Sequence, residues 1–375
     1  MRWLALGLSL LLFLSSANAA DLANADKLLA SIRAVSKEGT GNQEAGAAWK
    51  ELVSLGGDVL FPTLKAFDDA TPLAANWLRS AINAIGEKEK AAGRKLPADK
   101  LEAFLKDTKH APGGRRIAYE FLVELDPKTP DRLLPGMLND ASFENRRDAV
   151  AAALKKAEKL EGAEAKKEYT RLFDAVRDKG QADALAELLK KAGESPSLTS
   201  HFGVLTNWML VGPFDSTMGT GYNKAYEPEK KVDLAAKYVG KANAELKWIP
   251  HTSTDPNGLV NLNKAIEKHK DSVAYAFTLV DSPKDMAVEI RFGCISAVKV
   301  FLNGKELFQN EEYHHGERFD QYLAVGTLKA GKNELLVKVC QNNQTEQWAQ
   351  NWQFQLRLCD ATGGALPVKS VLPAK

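Results

Sequence analysis

Amides crowd around a tryptophan in one short stretch near the C-terminus. Gln341-Asn342-Asn343-Gln344-Thr345-Glu346-Gln347-Trp348-Ala349-Gln350-Asn351 places Asn342, Asn343, Gln347 and Gln350 beside Trp348. That combination suits a sugar, which offers a ring face to an aromatic side chain and hydroxyls to groups that both donate and accept. The stretch reads equally well as a hairpin loop whose Trp348 folds over a sheet end. A second candidate is Glu311-Glu312-Tyr313-His314-His315-Gly316-Glu317. Two imidazoles near carboxylates are ligand types for a transition metal. Adjacent side chains on a strand point to opposite faces, however, and no third ligand follows at a typical spacing. Tyr313, His314 and His315 are therefore read as ligand-binding candidates without a metal. Glu227 and Glu229 are a carboxylate pair of the kind glycoside hydrolysis uses, but that chemistry needs a separation of ~5–9 Å that sequence proximity does not set. His-Glu-x-x-His, Gly-x-Ser-x-Gly and a phosphate loop are absent. Gly219-Thr220-Gly221 reads as a turn. The chain thus reads as a non-catalytic binding protein with no metal and no cofactor.

Alternating strands must position these residues. In 287–308, Val288, Ile290 and Phe292 alternate with Glu289 and Arg291; after a break at Gly293, Val298, Val300 and Leu302 resume the period. Asn303-Gly304 then turns the chain, because a tight two-residue hairpin turn needs positive φ at both positions. Further strands are predicted at 207–214, 247–249, 260–262, 272–279, 319–325 and 335–339, and the last at Trp352, Phe354, Leu356 and Leu358. Short strands with turn chemistry between them predict an antiparallel β-sandwich. Cys340 and Cys359 read as ends of two adjacent hairpin strands about Thr345. That register sets residue 340 opposite the region of Asn351, so the two are not expected to bridge. Buried free thiols are the reading for Cys294, Cys340 and Cys359.

The front of the chain has helical periodicity instead. Leu28, Leu29, Ile32 and Val35 form one stripe; Ala48, Trp49, Leu52 and Leu55 form the next. Pro62 sits in a first helical turn, and a helix after Pro72 is expected to end at Gly86. An apolar-Pro first helix, an Asp at the turn (Asp69, Asp140) and an Arg-led second helix (Arg79 to Ile82, Arg147 to Val150) recur. Pro62 and Pro135 lie roughly two periods of a 35–40-residue repeat apart. This layout resembles HEAT repeats. The resemblance implies an α-solenoid with a spacer or protein-binding role and no chemistry.

In the second half, Trp208 with Gly212-Pro213-Phe214, Tyr226-Glu227-Pro228-Glu229 and Lys247-Trp248 resembles the start of bacterial galactose-binding-like jelly-roll modules. So do Phe301-Leu302-Asn303-Gly304-Lys305 and the run from Leu328 to Val339; both are similar to the sugar-binding domain of family 2 glycoside hydrolases. The resemblance implies a jelly-roll sandwich and a carbohydrate ligand. Where such modules often carry a Gly-Ser-Asp-Asp-Gly-like loop, this chain has Gly293-Cys294-Ile295-Ser296-Ala297. That loop lacks the carboxylates that would hold Ca²⁺ or sugar hydroxyls.

The fold class is thus multidomain α + β. The expected organisation is a signal peptide at 1–19, a helical solenoid at 20–194, a linker at 195–201, a β-sandwich at 202–368 and a tail at 369–375. Arg2, the apolar run 3–14 and Ala17-Asn18-Ala19 form the signal, with cleavage expected after Ala19. The chain is read as exported, periplasmic or extracellular. No transmembrane segment is expected, since the apolar run is shorter than the ~20 residues a span needs. A formal net charge of +2 without a basic stripe excludes a dedicated nucleic-acid binder. The expected partners are a carbohydrate and, through the helices, a protein. Two alternatives stay open: a purely structural protein–protein scaffold, and an accessory subunit of polysaccharide degradation.

Overall fold

The computed structural model describes residues 19–372. Apart from Ala19, the expected signal segment lies outside them. The described residues divide into two compact units, with the boundary between Ala149 and Val150.

The first unit is helical: α1 (Ala19–Arg33), α2 (Asn42–Ser54), α3 (Leu60–Lys65), α4 (Pro72–Ala91), α5 (Ala98–Lys106), α6 (Pro112–Leu125), α7 (Thr129–Leu133) and the start of α8 (Phe143–Ala157). Each expected stripe becomes a buried face, with Leu29 and Ile32 on α1, Leu52 on α2, and Leu78, Ile82 and Ile85 on α4. α4 begins as its sequence suggests. Thr71 Oγ1 accepts from the Ala74 amide at 3.2 Å, and Pro72 occupies the first turn, where its missing N–H costs nothing. It does not stop at Gly86, as expected, but runs on to Ala91. A Cβ at Gly86 would lie 2.8 Å from the Phe121 ring. Gly86 is therefore a close-packing position between α4 and α6, not a terminator. Asp140, expected at a turn, holds the buried Arg115 guanidinium through both carboxylate oxygens, at 3.1 and 2.6 Å.

The second unit carries α9 (Gly162–Ala175), α10 (Lys179–Lys191) and α11 (Leu198–Phe202). β1 (Asn207–Asp215), α12 (Glu227–Lys230), β2 (Tyr238–Val239), β3 (Glu245–Leu246), β4 (Ile249–Thr252), β5 (Val260–Asn261) and α13 (Leu262–Ala265) follow. The chain then runs through β6 (Ser272–Ser282), β7 (Met286–Cys294), β8 (Val298–Leu302), β9 (Lys305–Asn310), β10 (Tyr322–Leu328), β11 (Gly331–Gln341), β12 (Gln353–Cys359) and β13 (Lys369–Val371). β13 falls within the stretch read as a tail and pairs with β6.

Among the described residues the strands form two main antiparallel sheets. One has the order β4-β1-β6-β11-β8-β9, with β13 on β6; the other has the order β10-β7-β12-β5. Their facing residues share one core: Trp208, Leu210, Ala276, Val300, Val337 and Val339 from the first, and Ile290, Phe292, Phe354, Leu356 and Leu358 from the second. The Asn303-Gly304 turn closes β8 onto β9 with φ of 51° and 77°, as the sequence predicts. The expected β11–β12 hairpin does not form. β11 pairs with β6 and β8, while β12 pairs with β7 and β5. Residues 342–352 therefore cross from one sheet to the other. The break at 295–297, between β7 and β8, crosses in the same way. Two apolar strands close in sequence had suggested a hairpin, but their core-facing residues are buried best by facing each other across the interior. All three cysteines are buried and free.

Each sheet also buries part of its outer face, while Leu323 and Val325 on the outer side of β10 stay exposed. On the first, Met209, Val211, Tyr275, Phe277 and Leu336 are covered by Tyr222, Tyr226, Tyr238, Leu246 and Trp248, which come from the long excursion after β1. Lys338 lies on that outer face and is 0% exposed. Its ammonium donates to Tyr222 O (3.0 Å), Lys224 O (2.8 Å) and Glu229 Oε1 (2.8 Å). Three donors meet three acceptors, the arrangement a buried ammonium requires. The Tyr275 hydroxyl donates to the same Glu229 oxygen. On the second sheet, buried Arg357 donates to both oxygens of Asp320 (2.7 and 2.6 Å), to Phe202 O (3.2 Å) and to Gly363 O (2.9 Å). The Phe202 and Phe319 rings lie 5.4 and 5.1 Å from its guanidinium carbon.

Two substitutions test this packing. Gly86→Ala gains about 1 kcal/mol of helix propensity, yet a methyl forced against the Phe121 ring costs about 1–3 kcal/mol; urea unfolding should show a net loss, relieved by Phe121→Leu. Lys338→Met leaves the Glu229 carboxylate buried without its cation, and should cost about 3–5 kcal/mol in the same measurement. Lys338→Met combined with Glu229→Gln should cost clearly less.

Candidate functional site

The two candidate stretches, separate in sequence, meet at one end of the paired sheets. The crossing between β7 and β8 accepts the His314 amide at Ile295 O, 2.7 Å. The Cys340 amide, near the end of β11, donates to Ala297 O at 2.8 Å. These bonds draw the 311–317 loop and the 342–352 crossing together. His314 Nε2 lies 2.8 Å from Asn342 Oδ1. That oxygen also accepts the Gln344 amide at 3.2 Å, while Asn342 Nδ2 donates to Gln344 Oε1 at 2.7 Å. A carbonyl oxygen can only accept, so this network puts the imidazole proton on Nε2. His314 sits at φ 58°, the left-handed region, and this backbone turn aims the ring at the crossing. Its ring meets Trp348 edge to face, with centroids 5.8 Å apart and planes at 82°.

Trp348 is 59% exposed. It lies on a single turn of helix, 347–349, whose base is fixed from below: Lys270 Nζ donates to Ala349 O at 2.5 Å, and Asn263 Nδ2 to Gln350 O at 2.8 Å. Neither Lys270 nor Asn263 carries a sequence signal for this duty. Each is simply polar, in a stretch far from the loop.

The candidate residues fall into two groups. Asn342 is a scaffold group, bonded as above. Gln350 is another; its amide nitrogen folds back onto Thr345 O (2.6 Å) and Glu346 O (2.9 Å). Asn343 and Gln347 are exposed on the same crossing segment as Trp348. Tyr313 packs against the outer cluster of the first sheet, where burial raises its hydroxyl pKa. His315 points elsewhere and is held between Gln321 Nε2 (3.0 Å) and the Tyr322 hydroxyl (3.2 Å). The neighbouring imidazoles thus serve different partners and converge on no common centre. Among the described residues, no group of three His, Cys, Asp or Glu side chains is placed to hold a metal. Glu229 is committed to Lys338 and Tyr275.

Burial holds His314 below the ordinary imidazole pKa, and the nearby Lys270 ammonium pushes the same way against the opposing Asn342 bond. The exposed surface around Trp348 therefore carries a neutral ring at neutral pH. Ser296 Oγ, His314 Nδ1 and Glu317 Oε1, on the adjoining loops, are buried and have no hydrogen-bond partner. Burial also raises the Glu317 pKa, offset in part by a bond from Gln353 to its other oxygen at 2.7 Å.

The helical unit has a concavity of its own, a cleft of about 650 Å³ lined by Leu29, Pro62, Phe104, Arg33, Asp68 and His110. His110 stacks on Phe104 at 4.0 Å, and Asp68 Oδ2 lies 2.9 Å from His110 Nδ1. Asp68 Oδ1 accepts the Ala111 amide at 2.7 Å. Asp68 is legible as part of an acidic turn; His110 has no motif around it. No family model matches this chain, and no curated protein does either.

The His314 arrangement has a pH consequence. Its folded-state pKa lies below the unfolded value, so the unfolded chain takes up the proton first. Stability is present above about pH 6.5 and is lost as pH falls through the window between the two values. Proton NMR should give a His314 midpoint below that of a free imidazole, and Asn342→Leu should lower it further by removing the bond that favours the charged form.

Proposed function

We propose that this chain is an exported, non-catalytic binding protein. In this reading the helical unit is a HEAT-like solenoid, and the two sheets form a galactose-binding-like jelly-roll sandwich. The sandwich takes a neutral carbohydrate at the end that carries Trp348. One observation carries the reading: an exposed indole is braced edge-on by a neutral His314, on a crossing segment that also exposes the amides of Asn343 and Gln347. A braced aromatic ring loses little freedom when a sugar stacks on it. Amides beside it pair with hydroxyls, where charged groups would carry a larger desolvation cost. The commitment of Glu229 to a buried ion pair supports a role without turnover. The cleft at Phe104 and His110 supports a protein partner for the helical unit. Export rests on the N-terminal signal pattern; no helix among the described residues is long and apolar enough to cross a membrane.

A scaffold without a sugar ligand is the second reading. It is favoured by the internal bonding of Asn342 and Gln350 and by the missing carboxylates at 293–297.

Titration with neutral oligosaccharides should show saturable binding. Trp348→Ala should weaken it about tenfold or more, the equivalent of roughly 1.4 kcal/mol of lost stacking, with the melting temperature unchanged. Binding to no neutral glycan would rule out the carbohydrate reading and leave the scaffold.

A further inference from the structure

The ends of the two main sheets are treated differently, and β10 is the exception. β4 is four residues long and contains Pro250; β5 has two residues; β9 carries Lys305 and Glu306. β13, the added strand, has three residues. Short length, proline and charge each blunt a sheet edge against pairing with another chain. β10 has none of these. It reads Tyr322-Leu-Ala-Val-Gly-Thr-Leu328, seven residues without a charge or a proline, and its ladder is with β7 alone. The register with β7 is unbroken from Tyr322 to Leu328, so no bulge twists the edge away. Ala324 and Leu328 face the core, and Leu307 of β9 packs near Gly326. Leu323 and Val325 face outward, at 49% and 65% exposure.

We propose that β10 is the contact through which two copies of this chain associate, edge to edge and antiparallel. The occupant is argued from self-complementarity. A two-fold contact requires a surface that matches itself. Antiparallel pairing centred on Ala324 sets Leu323 of one copy opposite Val325 of the other, twice, on the outward face. Tyr322 then meets Gly326, and Asp320 meets Leu328. No charge faces a like charge along the strand, whereas like charges opposite each other would destabilise the pair. The product is one continuous sheet built from the β10-β7-β12-β5 sheets of both copies, with an apolar cluster of two leucines and two valines over the seam. The inference rests on the sheet edge alone and stands or falls independently of the carbohydrate reading.

Sedimentation equilibrium of the purified chain across the micromolar range tests it. The expected result is a reversible monomer–dimer equilibrium that changes little with salt. Leu323→Lys and Val325→Lys should each raise the dissociation constant at least tenfold with an unchanged melting temperature. A chain that stays monomeric at every concentration overturns the proposal, including the case in which it instead captures an extended peptide of another protein. A dimer that resists both substitutions also overturns it. If either variant melts early, amide hydrogen exchange of the unaltered chain decides. β10 amides should exchange at least tenfold more slowly in concentrated than in dilute solution, and concentration-independent exchange there overturns the proposal.

Discussion

A lysine ammonium with no access to water constrains much of the sheet-rich unit. Lys338 occupies an outer-face position on β11, where a strand with one solvated side would leave it in solvent. The excursion after β1 covers that face instead, so every one of the ammonium's protons needs an acceptor inside the protein. Tyr222 O, Lys224 O and Glu229 supply them. The excursion has little regular structure of its own, and these three bonds help fix its path over Tyr275 and Phe277. Arg357 plays the matching part on the other sheet, tying Asp320 to the backbone of α11 and of the turn after β12. Burying these cations is costly unless they are fully paired, so they specify an arrangement more than they add to its stability.

With the shared interior and most of the first sheet's outer face closed, the surfaces left for recognition are the loop ends and the exposed side of β10. Two of those loops are forced together by topology. β7 and β8 belong to different sheets, as do β11 and β12, and each pair is joined by a crossing segment. The bonds from Cys340 to Ala297 and from His314 to Ile295 tie the crossings to each other. The contact of His314 with Asn342 and Trp348 follows from that arrangement. The side chains that form the surface differ from those that hold it. Asn342 and Gln350 spend their amides on the loop itself, and Asn343, Gln347 and Trp348 remain outward.

Much of the fold was legible in the residues. Period-two alternation located the main strands, Asn303-Gly304 marked the turn between β8 and β9, and apolar stripes marked the helices. Where the reading failed, the cause was a neighbour distant in sequence. Gly86 resembles a helix stop until Phe121 is seen against it. The strands that carry Cys340 and Cys359 resemble hairpin partners until each is found in a different sheet. Trp348 and His314 could be picked out by composition, but not their contact, because nothing local records that the two loops share an end.

The sequence by itself determined which of the long segments are helix and which are strand, and which side of those strands is apolar, since periodicity and turn chemistry act over a few residues. Short elements such as α11 and β13, in stretches read as linker and tail, carried no such signal. Only the tertiary structure decided which sheet each strand joins and what covers the polar side of each sheet. It also decided which candidate side chains remain free to meet a ligand. Those outcomes depend on burying apolar faces against one another and on satisfying every buried charge, and both conditions are set by residues far apart along the chain.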